Sequence, residues 1–186
     1  MGSGEMLLTI GAMILLGNII LTANRGISRV NQAVLTSGND IDAISLAKST
    51  IERAQDLPFD KHTMDSTWVN SLSMLTPPAS LGQESTTGDT LNDYDDFNGP
   101  QGKGYRIEID TIQQTGFIYK DSTKVQYVSR NSSGAFVPST SAATWTKQLD
   151  VWVWFWYFKG GPKPDTMKNI TRPDTVHLVD VFSYWY

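Results

Sequence analysis

The sequence predicts an α+β protein in which a long N-terminal α-helical rod packs against a C-terminal antiparallel β-sheet of about four strands. The prediction depends on an apolar run over residues 6–23, helical spacing of apolar residues up to residue 57, and an alternation of period two from residue 103. We therefore divide the chain into a helical rod (1–57), a connecting surface loop region (58–102) and an antiparallel sheet head (103–186).

Composition narrows the class of protein. Hydrophobic residues make up 40% and charged residues 18% of the 186 residues, which excludes a disordered chain and a membrane protein with many spans. The net charge is −4, and no basic stripe with interleaved aromatic residues occurs, so we expect no nucleic-acid partner. The chain has no cysteine, which excludes disulfides, thiolate metal sites and cysteine nucleophiles.

The first segment, residues 1–25, is predicted to be a helix that is apolar all round, as membrane-spanning and deeply packed helices are. A secretory signal peptide would need a basic start, which "MGSGE" does not provide. A simple membrane anchor is the alternative, but it leaves Glu5 unexplained, because a charge at the edge of the apolar run only disfavours insertion.

The second part of the rod is amphipathic. Ile27, Val30 and Val34 share one face, and a further apolar stripe begins at Ile41 and ends before Pro58. Between them, "TSGND" offers a helix C-cap and a new N-cap, so the sequence predicts a kink or break near residues 36–40.

An apolar helix with glutamate as its fifth residue, continued by "ISLAKSTIERAQDLPFD", resembles the type IV pilins and pilin-like proteins, including PilV-like proteins and type II secretion pseudopilins. The later "DYDDFNG" resembles an acidic turn of the same relatives. The resemblance implies a structural subunit whose helices form the hydrophobic core of an extracellular pilus and whose β heads form its surface. Adhesion, motility or surface colonisation would be its use.

The resemblance also implies a set of assembly residues and partners. Glu5 would pair with the amine of Met1 on a neighbouring subunit, and Met1 would be the processed, methylated N-terminus. A carboxylate in an apolar core is strongly disfavoured unless it is paired, and such a pair fixes register more than it adds stability. The expected partners are further copies of the chain, a prepilin peptidase, the pilus assembly machinery and the inner membrane, from whose pool the filament is built.

Two other functions stay open at this stage. One is a pseudopilin of a type II secretion-like apparatus, and the other is a membrane-anchored glycan-binding module. The second rests on "VWVWFWYF", in which Trp152, Trp154 and Trp156 share one face and Val151, Val153, Phe155 and Tyr157 share the other. We favour a central strand covered on both faces over a carbohydrate platform or an electron path, because aromatic residues dominate cores and interfaces.

Further candidate sites are weaker. Asp93, Asp95 and Asp96 are calcium candidates, but their spacing misses the EF-hand pattern and we favour a solvated acidic turn. Asn131 and Asn169 lie in sequons, and Ser139 and Thr140 lie in a loop that could carry O-linked sugar, but we favour an ordinary polar loop. Phosphate loops, nucleophile elbows and zinc-protease helices are missing from the sequence, so we expect a non-enzyme without a cofactor.

Overall fold

The computed structural model describes residues 2–64, 68–83, 91–99, 106–112, 117–157 and 175–184, with the side chains of 108–112, 117–118 and 155–157 left out of the description. Met1 and Asn169 lie outside the described residues. The chain divides into two compact units, Met1–Ile41 and Asp42–Tyr186. We call their described residues the N-terminal helical segment and the head unit, and we treat each by itself.

Helix α1 runs from Ser3 to Gln55 over 53 residues, which confirms the predicted rod. Of the kink or break expected near residues 36–40, the break was wrong, because the helix continues through them. A glycine inside a helix costs only about 1 kcal/mol relative to alanine, which the neighbouring turns of a long helix outweigh. Thr36 also keeps its hydroxyl within the helix by donating to the Gln32 carbonyl at 3.0 Å.

The sheet is antiparallel throughout and confirms the predicted class. Its strands are β1 (Arg106–Ile112), β2 (Phe117–Arg130), β3 (Phe136–Pro138), β4 (Thr146–Tyr157) and β5 (Thr175–Ser183). They lie in the order β1-β2-β4-β5, and the short β3, directly before Ser139 and Thr140, pairs with the end of β2. The aromatic strand β4 is therefore central, with Ser122 of β2 on one side of Trp152 and His177 of β5 on the other.

The main core lies between the sheet and the last turns of α1. Ala43, Ala47 and Ala54 are fully buried against strand side chains, which are large where the helix is small: Tyr119, Val125, Leu149, Val151 and Val153. Gln55 Nε2 donates to Asp180 Oδ1 at 3.0 Å, so a hydrogen bond also joins the helix end to β5. Small helix residues let the helix approach the sheet closely, and the strand residues fill the space between them.

A second core lies under the connecting segment. Phe59, Val69, Leu75 and Leu81 are buried together with Tyr127 of β2. The segment 58–102 was predicted to be a surface loop region, and for these residues that prediction was wrong. Helix α1 ends at Gln55, and beyond it apolar residues of the connecting segment form part of the buried core. The segment contains short 3₁₀ turns at Lys61–Thr63, Leu72–Met74, Pro78–Ser80 and Tyr94–Asn98.

Leu149→Ala should test the packing of α1 on the sheet. Leu149 is completely buried, so the truncation should lower the free energy of unfolding by about 2–5 kcal/mol through lost burial and a cavity. Val179→Ala on the neighbouring strand is the matched control, because Val179 is 49% exposed and its truncation should cost less than about 0.5 kcal/mol. Chemical denaturation of the full chain in detergent measures both; equal losses would contradict the described core.

Candidate functional site

The N-terminal helical segment presents apolar side chains to its surroundings on all sides. Residues 3–38 are exposed, except for a half-buried Gly17, and Leu8 reaches 77% exposure. Within the described residues, α1 is the one helix long and apolar enough to cross a membrane. The hydroxyl of Thr22 donates to the Asn18 carbonyl at 2.8 Å and that of Thr9 to the Glu5 carbonyl, so these hydroxyls need no outside partner.

Two features distinguish the two ends of this apolar helical segment. Glu5 lies exposed in the first turn, where unpaired backbone N–H groups favour a negative charge. Further along, Ile27, Val30, Val34 and Ile41 leave 60–65% of their surface exposed. A stripe of this kind on an amphipathic helix suits contact with another helix or with the edge of a bilayer.

The head unit contains a buried ammonium group. Lys147 Nζ donates to Asp95 Oδ1 at 2.7 Å, to Asp60 Oδ2 at 3.3 Å and to the Phe59 carbonyl at 2.6 Å. The Lys147 side chain has no exposed surface, and the rings of Phe59 and Tyr127 lie 4.4 and 5.3 Å from its nitrogen. We call Lys147, Asp60, Asp95 and the adjacent Asp93 the buried charge cluster.

Asp60 is prepared for this position by several donors. Its Oδ1 accepts from the His62 backbone N–H at 3.1 Å and lies 2.8 Å from His62 Nδ1, and its Oδ2 accepts from the Thr76 N–H at 2.9 Å. Burial acts to raise the pKa of the Asp60 carboxyl, but the Lys147 charge and these hydrogen bonds together hold that pKa below its usual value. Asp60 is therefore the ionised partner of Lys147.

The acidic turn is buried, so the expectation of a solvated turn was wrong. Asp93, Asp95 and Asp96 are each at most 2% exposed. Asp93 Oδ1 caps the turn by accepting from the Asp95 and Asp96 N–H groups at 3.0 and 3.1 Å, and Asp96 Oδ2 accepts from the Asp93 N–H at 3.3 Å. Backbone N–H groups and the Lys147 ammonium thus donate the hydrogen bonds to these carboxylates that water would donate in a solvated turn.

These contacts also show which groups surround the calcium candidates Asp93, Asp95 and Asp96. Asp95 Oδ1 faces the Lys147 ammonium, and the capping oxygens of Asp93 and Asp96 face the turn's own amides. Among the described residues, no group of three or more acidic, histidine or cysteine side chains has the arrangement of a metal site. Around Asp95 the structure therefore has an ammonium where a calcium ion would need to be.

Within the buried charge cluster, the Asp93 carboxyl has an unusual pKa. Burial raises the pKa of its carboxyl to about 8, and the charges of Asp95 and Asp96 act in the same direction against that of Lys147. Among the described residues, Asp93 Oδ2 is buried without a hydrogen-bond partner. A proton on Asp93 at neutral pH relieves the repulsion between the three carboxyl groups of the turn.

The outer face of the sheet, opposite to the face of Val151 and Val153, carries two tryptophans of β4. Trp152 and Trp154 are half-buried there, and the His177 ring stacks on Trp152 with centroids 4.8 Å apart and an interplanar angle of 6°. His177 Nε2 lies 3.0 Å from Asp150 Oδ1. The side chains of Phe155, Trp156 and Tyr157 lie outside the described set.

The described glycosylation candidates lie in an accessible loop. Asn131 is exposed, and its Oδ1 accepts from the Ser133 and Ala135 N–H groups at 3.1 and 2.9 Å. Thr140 is exposed as well, whereas Ser139 is half-buried and donates its hydroxyl to the Ala142 carbonyl at 2.7 Å. The loop has an internal hydrogen-bonded structure, and these bonds do not depend on sugar.

Sequence reasoning missed the buried charge cluster. One signal was present: the period-two alternation of β4 places Lys147 on the same face as Leu149, Val151 and Val153, and a lysine on a core face requires an acidic partner. The partners themselves, Asp60 and Asp95, lie 87 and 52 residues away in sequence, so only the fold identifies them.

Comparison of the chain with protein-family models, curated proteins and solved structures finds no match. Its architecture is that of an apolar N-terminal helix followed by an antiparallel sheet packed on the helix's last turns. This arrangement is compatible with a pilin-like fold.

Asp93→Asn should flatten the pH dependence of stability. The raised folded-state pKa means that the Asp93 proton contributes stability below pH about 4, which is lost as pH rises towards about 8. Asparagine keeps the capping oxygen but does not titrate, so the variant should lose less stability than wild type between these pH values. Denaturation midpoints at several pH values measure this, with the exposed Glu52→Gln as control; parallel curves for wild type and the Asp93→Asn variant would contradict the assignment.

Proposed function

We propose that this chain is a structural subunit that polymerises through its N-terminal helix into an extracellular filament of the type IV pilus kind. One observation carries the proposal: the helical segment exposes apolar side chains on every side, while the head unit has a buried apolar core of its own. An exposed apolar surface of this extent indicates lipid or protein partners. Adhesion, motility or surface colonisation is the proposed use of the filament.

A helix with this surface suits two environments, a bilayer and a bundle of like helices, which would be two stages in the assembly of one subunit. About 20 apolar residues span a bilayer, and the run over residues 6–23 is close to that length. Helices gathered into a bundle cover the same surface with one another. We therefore propose an inner-membrane pool of subunits from which the assembly machinery builds a filament with an apolar core.

Glu5 is the proposed register residue. Its carboxylate is unfavourable in lipid or in an apolar bundle unless a cation pairs with it. The N-terminal amine of a neighbouring subunit, on Met1 if the mature chain begins there, is the proposed cation. Since a buried ion pair contributes specificity more than stability, the pair would select one axial offset between helices.

Two alternative functions share parts of this structure. A pseudopilin of a secretion apparatus would use the same helix but form a short periplasmic assembly. A membrane-anchored glycan-binding module is favoured by one observation, the half-buried Trp152 and Trp154 beside His177 on the outer sheet face. For that module, the helix would serve as an anchor and Glu5 would be dispensable.

Glu5→Gln and Glu5→Ala should abolish or cripple filament assembly while leaving the head folded. Both remove the charge that fixes register, and Glu5 belongs to the helical segment rather than to the head core. Glu52→Gln, which alters an exposed carboxylate on the same helix, should assemble normally. Electron microscopy and yields of sheared filaments measure the effect; wild-type yield from both Glu5 variants would refute the register role.

Intact-mass and N-terminal analysis of chains sheared from the cell surface should find Met1 as a methylated first residue. This outcome would indicate processing by a prepilin peptidase, which the filament proposal requires. An unmethylated chain that stays in the membrane fraction would contradict the proposal and favour the anchored binding module.

A further inference from the structure

The buried charge cluster holds an amine and a carboxyl group in direct contact away from water. Lys147 Nζ and Asp95 Oδ1 are 2.7 Å apart, and their side chains are 0% and 1% exposed. A second carboxyl, that of Asp60, lies 3.3 Å from the same nitrogen and is also fully buried. Two aromatic rings, those of Phe59 and Tyr127, complete the surroundings of the nitrogen.

We propose that Lys147 and Asp95 condense into an intramolecular isopeptide bond, a side-chain amide, with Asp60 and Asp93 carrying the protons. This inference goes beyond the filament proposal and does not depend on it. The cross-link would join the start of β4 to the acidic turn across 52 residues of sequence.

The reaction balances without a co-reactant. The Lys147 ammonium releases a proton to Asp60, and the neutral nitrogen attacks Cγ of Asp95. The Nζ–Cγ bond forms, and a Cγ–O bond breaks as the leaving oxygen takes one proton from Asp93 and one from Asp60 and departs as water. The second proton that the nitrogen loses returns to Asp93. Nothing is oxidised or reduced, and Asp60 and Asp93 end in their starting protonation states.

Several features of the cluster favour this reaction. Holding the reacting groups in contact removes most of the entropic cost of joining them. The Gly82 N–H lies 3.4 Å from Asp95 Oδ2, where negative charge develops during attack. Amide formation removes two charges whose burial is unfavourable.

Asp93 supplies the observation that an ordinary ion pair does not explain. Two carboxyl groups of the cluster, those of Asp60 and Asp95, contact the ammonium, and among the described residues one buried oxygen of the third, that of Asp93, has no hydrogen-bond partner. Burial keeps the pKa of Asp93 near 8, so this carboxyl holds a proton at neutral pH. A protonated acid beside Asp95 is the donor that the leaving oxygen requires.

Tryptic digestion of the denatured full chain decides the question. Trypsin should release residues 62–103, which contain Asp95, and residues 131–147 and 148–159, which meet at Lys147. With the cross-link, Lys147 resists cleavage, and a branched peptide joins 62–103 to 131–159 with a mass one water below the sum. Recovery of free 131–147 from protein that unfolds cooperatively would overturn the proposal and leave an ion pair only.

Three variants sharpen the test. Lys147→Arg keeps a positive charge but cannot form the amide, so its chain should have the full sequence mass. Asp60→Asn removes the proton acceptor and should lower the cross-linked fraction at least about tenfold. Lys124→Arg, at an exposed lysine of β2, should cross-link as wild type does. The wild-type digest is decisive even where a variant does not fold.

Discussion

The head unit depends on the pairing of one buried ammonium group. Lys147 lies on the core face of the central strand, where an unpaired charge would be strongly destabilising. Pairing it requires Asp60 from the connecting segment and Asp95 from the acidic turn to reach the same point. The contact therefore fixes the path of a chain segment that has little regular secondary structure.

Other side chains attach this segment to the sheet in the same way. Thr123 Oγ1 donates to the Phe97 carbonyl at 2.6 Å, Asn98 Oδ1 accepts from the Val125 N–H at 3.1 Å, and the Tyr127 hydroxyl donates to the Thr76 carbonyl at 2.8 Å. Short 3₁₀ turns satisfy few of their own backbone groups, so side chains of the sheet and of the turn itself supply the missing partners. Such a polar network specifies one arrangement when all its members are satisfied.

The two units of the chain differ in which side chains they bury and which they expose. In the head, Lys147 lies inside and is paired with buried carboxylates, and apolar residues form two buried clusters. In the N-terminal helical segment the apolar residues are exposed and the hydroxyls of Thr9 and Thr22 are satisfied by the helix backbone. The head thus has an apolar core of its own, whereas the helical segment leaves its apolar surface exposed.

The sequence alone determined the local elements, because their signals are periodic and short in range. The apolar run, the stripe that ends before Pro58 and the alternation around Val151 and Val153 were enough to predict a helix followed by an antiparallel sheet. Tertiary structure decided what long-range contacts control. Residues 36–40 carry cap signals, yet the helix continues through them, because capping residues end a helix only weakly. "DYDDFNG" has the composition of a solvated turn, but it is buried, because Lys147 and backbone amides face its carboxylates. The sequence shows which residues are charged and therefore unfavourable to bury, but only the fold shows whether a partner 52 residues away offsets that cost.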